Sequence, residues 1–124
     1  MITIIAGSKS DENIVKTITS ELEGRVNFDV HYASCHRNPK LVEKIINESK
    51  ENIFICVAGL SAALPGYVAA RTQRPVIGVP VSGVLNGIDA LLSIVQMPKG
   101  VPVACVGIDN GQNAALLALR ILGK

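Results

Sequence analysis

Residues 53–70, with the sequence IFICVAGLSAALPGYVAA, contain no charged side chain and approach the length of a helix that spans a bilayer. Four small or helix-breaking residues interrupt the middle of the stretch: Gly59, Ser61, Pro65 and Gly66. The run before them is rich in β-branched side chains, and the segment after them is rich in alanine. The stretch therefore predicts a buried strand, a turn and a helix, and not a membrane span.

The same succession of strand and helix extends in both directions from this stretch. Short β-branched runs predict strands and the longer segments between them predict helices, which is the pattern of βαβ units. Ser10 or Asp11 is placed to cap the first helix, and Pro39 to occupy the first turn of the second. The predicted strands are residues 2–6, 28–33, 53–58, 76–79 and 101–106; the predicted helices are one that ends at about residue 23 and those at residues 39–50, 64–72, 87–95 and 112–122.

Five strands with intervening helices predict an α/β fold with three αβα layers, a flavodoxin-like doubly wound domain that covers residues 1–124. Apolar residues make up 48% of the chain and aromatic residues only 3%, as is typical of a buried parallel sheet. We expect the strand order 2-1-3-4-5. Since the first strand then lies between the second and third, the loops at their carboxyl ends are neighbours, and a ligand should bind there.

Charge and composition restrict the expected partner to a small molecule. The formal net charge of +2, from 12 basic and 10 acidic residues, is too small for a surface that binds duplex nucleic acid. Two Phe and two Tyr are too few for a single-strand stacking platform. Three cysteines without paired spacing indicate a reducing compartment, and Met1 leads directly into a strand pattern without a secretion signal. We therefore expect a cytoplasmic protein that binds neither nucleic acid nor membrane.

The first loop, residues 7–11 with the sequence GSKSD, combines a glycine, two hydroxyls, a lysine and the start of a helix. Unpaired N–H groups at a helix start favour an anion, so phosphate is the natural ligand. The loop matches neither the dinucleotide fingerprint nor the P-loop, and taken alone it is better interpreted as an ordinary capped turn.

The second loop, residues 34–39 with the sequence SCHRNP, brings an acid-base residue and a fixed cation to a strand end. His36 can exchange a proton near neutral pH, and Arg37 can bind phosphate oxygens in bidentate fashion. A solvated surface pair is the alternative. Cys35 allows a thiol nucleophile, but neighbouring residues of an extended backbone point to opposite sides, so we favour a small buried filler there.

The third loop, residues 58–66, has small side chains that allow a flat ligand to approach the backbone. Gly59, Ser61 and Leu64 are its candidate binding residues, and tight helix-sheet packing is the alternative. Residues 93–98, SIVQMP, either cover a ring or close the core. His31 is predicted to be a sheet residue, and the two histidines with scattered cysteines do not give the spacing of a metal site.

Five segments together give the chain a resemblance to the catalytic subunit of phosphoribosylaminoimidazole carboxylase, the family that includes N5-carboxyaminoimidazole ribonucleotide mutases. The resemblance spans nearly the whole chain. The first loop, the Ser-x-His-Arg loop and the SIVQMP run are specific jointly and in this order, whereas each alone is weak. The segments are GSKSD at 7–11, SCHRNP at 34–39, LPG at 64–66, PVIGVPV at 75–81 and SIVQMP at 93–98.

The resemblance implies roles for individual residues. His36 takes the general acid-base position of the family, and the family's usual Ala at the position of Cys35 disfavours a thiol mechanism. The segments that hold the ribose phosphate correspond to Ser8, Ser10, Asp11, Ser34 and Arg37.

The implied activity belongs to de novo purine biosynthesis. Carbon dioxide moves from the exocyclic nitrogen to carbon 4 of the imidazole, by decarboxylation and recapture within one closed pocket, and neither a cofactor nor a metal is required. The enamine-like ring supplies the nucleophilic carbon, and His36 removes the carbon 4 proton. The family is typically octameric, so the resemblance also implies a homo-oligomer.

The third loop departs from the usual mutase pattern. Many bacterial mutases have His where Ala63 stands, and Gly59-Leu60-Ser61 is typical of relatives that use carbon dioxide directly. Arg37 and Pro65 are typical of mutases, which we favour over direct carboxylation. A non-catalytic nucleotide-phosphate binding module is the alternative of another class. The chain ends at Lys124 without the C-terminal helix that many relatives use for assembly, so the expected oligomer size stays open.

Overall fold

The computed structural model describes residues 1–49 and 52–124. Five parallel strands form one sheet in the order β2-β1-β3-β4-β5, which confirms the predicted order. The two central strands are fully or almost fully buried because helices cover both faces of the sheet. The strands are β1 (Ile2–Ala6), β2 (Phe28–Tyr32), β3 (Ile53–Gly59), β4 (Val76–Val81) and β5 (Ala104–Cys105).

Helices pack on both faces of the sheet and complete the predicted three-layer, flavodoxin-like arrangement. Successive strand residues point to opposite faces, so Ile4 packs with the first and last helices while Ile5 packs with the other three. Each face therefore has its own aliphatic core. The helices are α1 (Glu12–Leu22), α2 (Pro39–Glu48), α3 (Leu64–Ala69), α4 (Ile88–Val95) and α5 (Gly111–Ile121).

The start of α1 differs from the prediction. Asp11 occupies the N-cap position, but its side chain makes no capping hydrogen bond. A 3-10 turn, Lys9–Asp11, precedes the helix, and Ser8 caps that turn by accepting a hydrogen bond from the backbone N–H of Ser10 at 3.3 Å. Asp11 therefore occupies the predicted N-cap position, but the expected side-chain cap of α1 is not made, and the capping hydrogen bond lies one turn earlier, at Ser8. Pro39 does occupy the first turn of α2, as predicted.

Strand β5 is much shorter than the predicted strand at residues 101–106. Only Ala104 and Cys105 pair with β4, and Pro102 cannot donate a ladder hydrogen bond. Strand β4, in contrast, runs two residues past its predicted end, to Val81. It passes through Pro80, which is tolerated because its missing N–H lies on the side where β5 has already ended.

Helices α2 and α3 end earlier than their apolar patterns predict, whereas α4 ends at Val95 as predicted. Helix α3 ends at Ala69 and not at Thr72, because Arg71 already donates its backbone N–H to Val68 in a turn. Helix α2 ends at Glu48, and the predicted last residue, Lys50, lies outside the described residues. Within residues 1–49 and 52–124, none of the helices combines the length and hydrophobicity that crossing a bilayer requires.

Candidate active site

The carboxyl ends of β1, β2, β3 and β4 open into a cavity of about 600 Å³, a volume within the usual range for small-molecule sites. The four strand ends meet because the strands are parallel and adjacent. The structure brings all the sequence-predicted site residues to this one cavity. They are Ser8, Ser10, Asp11, Ser34, His36, Arg37, Gly59, Ser61 and Leu64.

The first loop presents two linked hydroxyls to the cavity. Ser10 donates its hydroxyl hydrogen to Ser8 Oγ at 2.9 Å, in addition to its backbone contact with the same oxygen. Lys9 is not among the lining residues, since its Nζ lies 4.5 Å from the centre of the Tyr32 ring. Lys9 was one of the features that predicted phosphate binding, but its ammonium group lies over the Tyr32 ring and not in the cavity.

The second loop is tied to the first by Arg37. Its Nη2 donates to the carbonyl oxygen of Gly7 at 2.9 Å, and its backbone N–H donates to Ser34 Oγ at 3.2 Å. A further backbone bond, from Asn38 to the Ser34 carbonyl at 2.8 Å, closes the turn that contains His36. The turn therefore places His36 and Arg37 at the same rim of the cavity on a well-bonded backbone.

Asp11 is a nearly buried acid in the cavity wall, with 8% of its surface exposed. Burial raises the pKa of its carboxyl, the Ser8 backbone amide opposes that shift, and the charge of Asp109 adds to it. A buried carboxyl of raised pKa in a cleft is typical of functional sites. Hydroxyl groups of a sugar are suitable partners for it, because a carboxyl group accepts their hydrogen bonds.

The third loop is built from two tight turns. Leu60 has a left-handed backbone with φ of 54°, and the backbone N–H groups of Ala62 and Ala63 bond to the carbonyls two residues before them, at 2.8 and 2.7 Å. A methyl group added at Gly59 would meet Val81 at an ordinary contact distance of 3.4 Å. Packing alone therefore does not demand glycine at that position.

Gly66 and residues 93–98 fit the packing alternatives considered for them. A methyl group added at Gly66 would lie 2.8 Å from the Cε and Sδ atoms of Met97. Ile94 is fully buried, and no residue of the 93–98 segment lines the cavity. Within this chain Ile94 and Met97 therefore pack against the core beside α3, whereas Val95, Gln96 and Pro98 are exposed.

The sequence did not predict the fourth strand end. Val81, Ser82 and Gly83 complete the cavity wall, and Ser82 bonds through its backbone N–H and its hydroxyl to Asp109. The rule that parallel strand ends share one edge would have found them. A serine and a glycine within four residues of the predicted end of the strand, at residue 79, were the available signal.

Cys35 lines the cavity and is only half-buried, so the expectation of a buried filler is wrong in that respect. Burial is nevertheless the main reason that the pKa of its thiol is raised. A raised pKa keeps the thiol protonated at neutral pH, which disfavours a thiolate nucleophile. Cys56, beneath it in the core, is fully buried.

His31 is a sheet residue, as predicted, and lies in β2 outside the cavity lining. Its Nε2 is 3.0 Å from Asp29 Oδ2. Over the described parts of the chain, no three His, Cys, Asp or Glu side chains are grouped so that they could hold a metal ion.

The chain is similar to known proteins over its whole length. The family model described as AIR carboxylase matches residues 1–124. The N5-carboxyaminoimidazole ribonucleotide mutase of Methanocaldococcus jannaschii is 58% identical over 123 residues, which are 98% of this chain and 78% of that protein. The phosphoribosylaminoimidazole carboxylase of Saccharomyces cerevisiae is 49% identical over 128 residues, which are 99% of this chain and 22% of that protein. The crystal structure of Treponema denticola PurE superposes with a TM-score of 0.89 at 31% identity, covering 98% of this chain and 79% of that one.

Proposed function

Because the chain belongs to the AIR carboxylase family, we propose that its cavity converts N5-carboxyaminoimidazole ribonucleotide into 4-carboxy-5-aminoimidazole ribonucleotide. This carboxyl migration is a step of de novo purine biosynthesis. The mutase name of the 58% identical archaeal relative supports it, and the carboxylase name of the yeast relative is the weaker alternative. The observation that carries the proposal is the meeting of three predicted loops at one cavity.

The phosphate of the substrate binds between the first two loops. Ser8, Ser10 and Ser34 supply hydroxyls there, and Arg37 supplies the cation. One guanidinium nitrogen is held by the Gly7 carbonyl, so the remaining N–H groups are left in a fixed orientation for phosphate oxygens. Asp11, in the wall beside this subsite, binds the ribose hydroxyls.

The base binds against the third loop. Gly59 and Ser61 carry little side-chain bulk, so a planar imidazole can approach the backbone closely there, and Leu64 adds an apolar contact to the same wall. The two tight turns fix this wall in place. This wall shields one side of the ring from bulk water, which favours recapture of carbon dioxide over its loss by diffusion.

His36 is the catalytic residue of the proposal. The carbon–nitrogen bond of the N-carboxyl group breaks, and the exocyclic nitrogen regains a proton. The nucleophilic carbon 4 forms a new carbon–carbon bond to the released carbon dioxide. His36 takes the hydrogen that leaves carbon 4, and the ring becomes aromatic again. One proton leaves carbon and one is gained by nitrogen, so the net reaction is an isomerisation without a cofactor.

Direct carboxylation is the second candidate, because Ala63 stands where many bacterial mutases have His. Both reactions yield the same product, but only the mutase needs the carboxyl group on nitrogen. The purified chain is assayed by ultraviolet absorbance without ATP, metal or biotin, once with the N-carboxylated substrate and once with aminoimidazole ribonucleotide plus bicarbonate. A mutase turns over the first much faster. Equal rates would indicate the carboxylase, and binding without any turnover would indicate a non-catalytic module.

We also propose that the chain forms a homo-oligomer, octameric by resemblance. Helix α4 leaves Ile88, Leu92 and Val95 about half exposed on one side, and the preceding loop exposes Val84 and Leu85. Such an apolar patch on a small domain fits burial against a second copy. Light scattering is expected to give a multimer and Leu92→Glu a smaller species; a monomeric wild type would contradict the proposal.

The cytoplasm is the proposed location. Cys35, Cys56 and Cys105 are free thiols, which fits a reducing compartment. Fractionation of cells that produce the chain with an epitope tag tests this, and recovery in a membrane or secreted fraction would contradict it.

A further inference from the structure

Ser82 and Asp109 form a two-point contact at the wall of the cavity. The backbone N–H of Ser82 donates to Asp109 Oδ1 at 2.8 Å, and the hydroxyl of Ser82 donates to Oδ2 at 2.5 Å. Because a carboxylate only accepts hydrogen bonds, the single hydroxyl hydrogen of Ser82 is committed to Asp109. The oxygen of Ser82 therefore offers only lone pairs to a ligand in the cavity.

We propose that Ser82 accepts a hydrogen bond from the exocyclic amino group of the bound aminoimidazole, and that Asp109 is the positioning residue that sets the direction of the Ser82 hydroxyl. The inference rests on the proposed function for the identity of the ligand. It adds a polar contact that distinguishes the base of this substrate from bases that lack the amino group.

The position of Ser82 in the sheet places it at the base end of the ligand. The phosphate subsite lies at the ends of β1 and β2, whereas Ser82 follows β4, which is separated from β1 by β3. Two strand spacings amount to about 10 Å. A ribonucleotide anchored at its phosphate reaches that distance with its base and the substituents on it, so the amino group is the N–H donor suited to Ser82.

Backbone contacts hold Asp109 in place. It has a left-handed conformation with φ of 61°, and its N–H donates to the carbonyl of Pro80 at 2.8 Å. The next residue, Asn110, caps α5 by accepting from the Asn113 amide at 3.0 Å. Since Asp109 is fixed to β4 on one side and to α5 on the other, its carboxylate is a rigid support for Ser82.

The charge of Asp109 has a second effect on the same wall. It is close enough to Asp11 to contribute to the raised pKa of that carboxyl. A negative charge behind Ser82 disfavours the phosphate at this end of the cavity and favours an N–H donor. This wall of the cavity therefore favours the orientation of the bound ribonucleotide in which the phosphate lies toward Arg37.

A cycle that combines two ligands with protein variants tests the inference. The ligands are 4-carboxy-5-aminoimidazole ribonucleotide and its analogue without the 5-amino group, titrated by calorimetry. Wild type is expected to bind the amino ligand about tenfold more tightly, and Ser82→Ala to bind both equally. Asp109→Asn is expected to lose the preference as well, because its amide donates to the Ser82 oxygen and turns the hydroxyl hydrogen toward the ligand.

The variants are chosen to retain the fold, so that a change in ligand preference does not arise from misfolding. Asparagine tolerates the left-handed backbone and can still accept the Ser82 N–H, so Asp109→Asn retains the turn. Asp29→Asn, which alters an exposed acid in β2 outside the cavity lining, is the matched control and should keep the wild-type preference. Circular dichroism confirms that each variant is folded.

Each outcome has one interpretation. Equal affinity losses for both ligands in Ser82→Ala, or a retained preference, would overturn the role of Ser82. A preference kept in Asp109→Asn would overturn the role of Asp109. If wild type discriminates between the ligands but does not interconvert the carboxylated ribonucleotides, the proposed function fails while the contact stands. If wild type binds neither ligand, both are wrong.

Discussion

The Nη2 atom of Arg37 lies 2.9 Å from the carbonyl oxygen of Gly7, which joins the loops after β1 and β2. The bond is made across the cavity rim by residues that are far apart in the sequence. It orients a cation whose other N–H groups are available to a ligand. In the proposed function the two loops act as one phosphate subsite, so disturbing either should weaken the same interaction.

Arg37→Lys should weaken substrate binding while leaving the fold intact. Lysine keeps the charge but cannot bond to Gly7 and grip a phosphate in a planar fork. Hydrogen bonds to charged groups are worth about 1.5–3 kcal/mol, so kcat/KM should fall at least about tenfold, mainly through KM. Steady-state kinetics measure this, with Arg74→Lys, an exposed residue outside the cavity lining, as the control. Equal kinetics in the two variants would contradict the assignment.

Asp11→Asn should make the protein more stable near pH 7 while lowering activity. Burial is the main cause of the raised pKa of the Asp11 carboxyl, so the folded chain binds this proton more tightly than the unfolded chain. The protonated Asp11 carboxyl therefore stabilises the fold fully at pH values below 3.8, the ordinary pKa of this group. This stabilisation is lost as the pH rises through the raised pKa.

Thermal melts at several pH values test whether the ionised Asp11 carboxylate destabilises the fold at pH 7. The melting temperature of Asp11→Asn should exceed that of wild type at pH 7, and the difference should shrink toward the lowest pH at which both fold. Glu23→Gln, at an exposed position after α1, should show no such trend. A variant that is less stable than wild type at pH 7 would show that the Asp11 carboxylate is stabilised in the fold.

Cys35→Ala should remain active. The raised pKa of the thiol leaves it protonated at neutral pH, and the proposed reaction forms no covalent bond to the enzyme. Turnover and the rate of iodoacetamide labelling are measured together, and labelling should accelerate as the pH approaches and passes 9.0, the ordinary pKa of a thiol. Loss of turnover in a folded Cys35→Ala variant would instead support the thiol mechanism.

Gly111→Ala should destabilise the fold without changing the site. An added methyl group at the start of α5 would lie 2.6 Å from Thr17 Oγ1 and 2.9 Å from the Ile14 carbonyl oxygen of α1. Overpacking of this kind costs about 1–3 kcal/mol, which urea unfolding measures. Gly107→Ala, where the nearest atom would be 3.7 Å away, is the control. Equal stability of the two variants would mean that α1 and α5 are less tightly packed than these distances indicate.

The sequence predicted the elements that periodicity controls. Alternating β-branched and helical runs left few possible topologies, and the strand order chosen among them is confirmed. That order brings His36, Arg37 and Gly59 to one cavity. The length of β5 was not predictable from its apolar residues, because pairing with β4 decides it. The contact of Lys9 with Tyr32 depends on side-chain direction, which a loop sequence does not encode by itself.

The Ser82–Asp109 contact could also not be predicted from the sequence. The two residues are separated by a helix and a strand, and they meet because Asp109 adopts a left-handed backbone beside Pro80. Asp and Asn occupy that conformation more often than most residues, but only the folded sheet places one of them next to Ser82. A polar pair of this kind becomes visible only when strand ends and later loops are assembled.

The proposed reaction depends on His36 as the group that takes the proton from carbon 4, and the matched pair His36→Asn and His31→Asn separates this role from a merely structural one. Turnover of N5-carboxyaminoimidazole ribonucleotide is followed by ultraviolet absorbance, and product affinity by calorimetry. His36→Asn should lower kcat about 10²- to 10⁴-fold with unchanged affinity, since general acid-base catalysis contributes that much. His31→Asn, in β2 and paired with Asp29, should behave as wild type. Wild-type turnover in a folded His36→Asn variant would show that another group takes the carbon 4 proton.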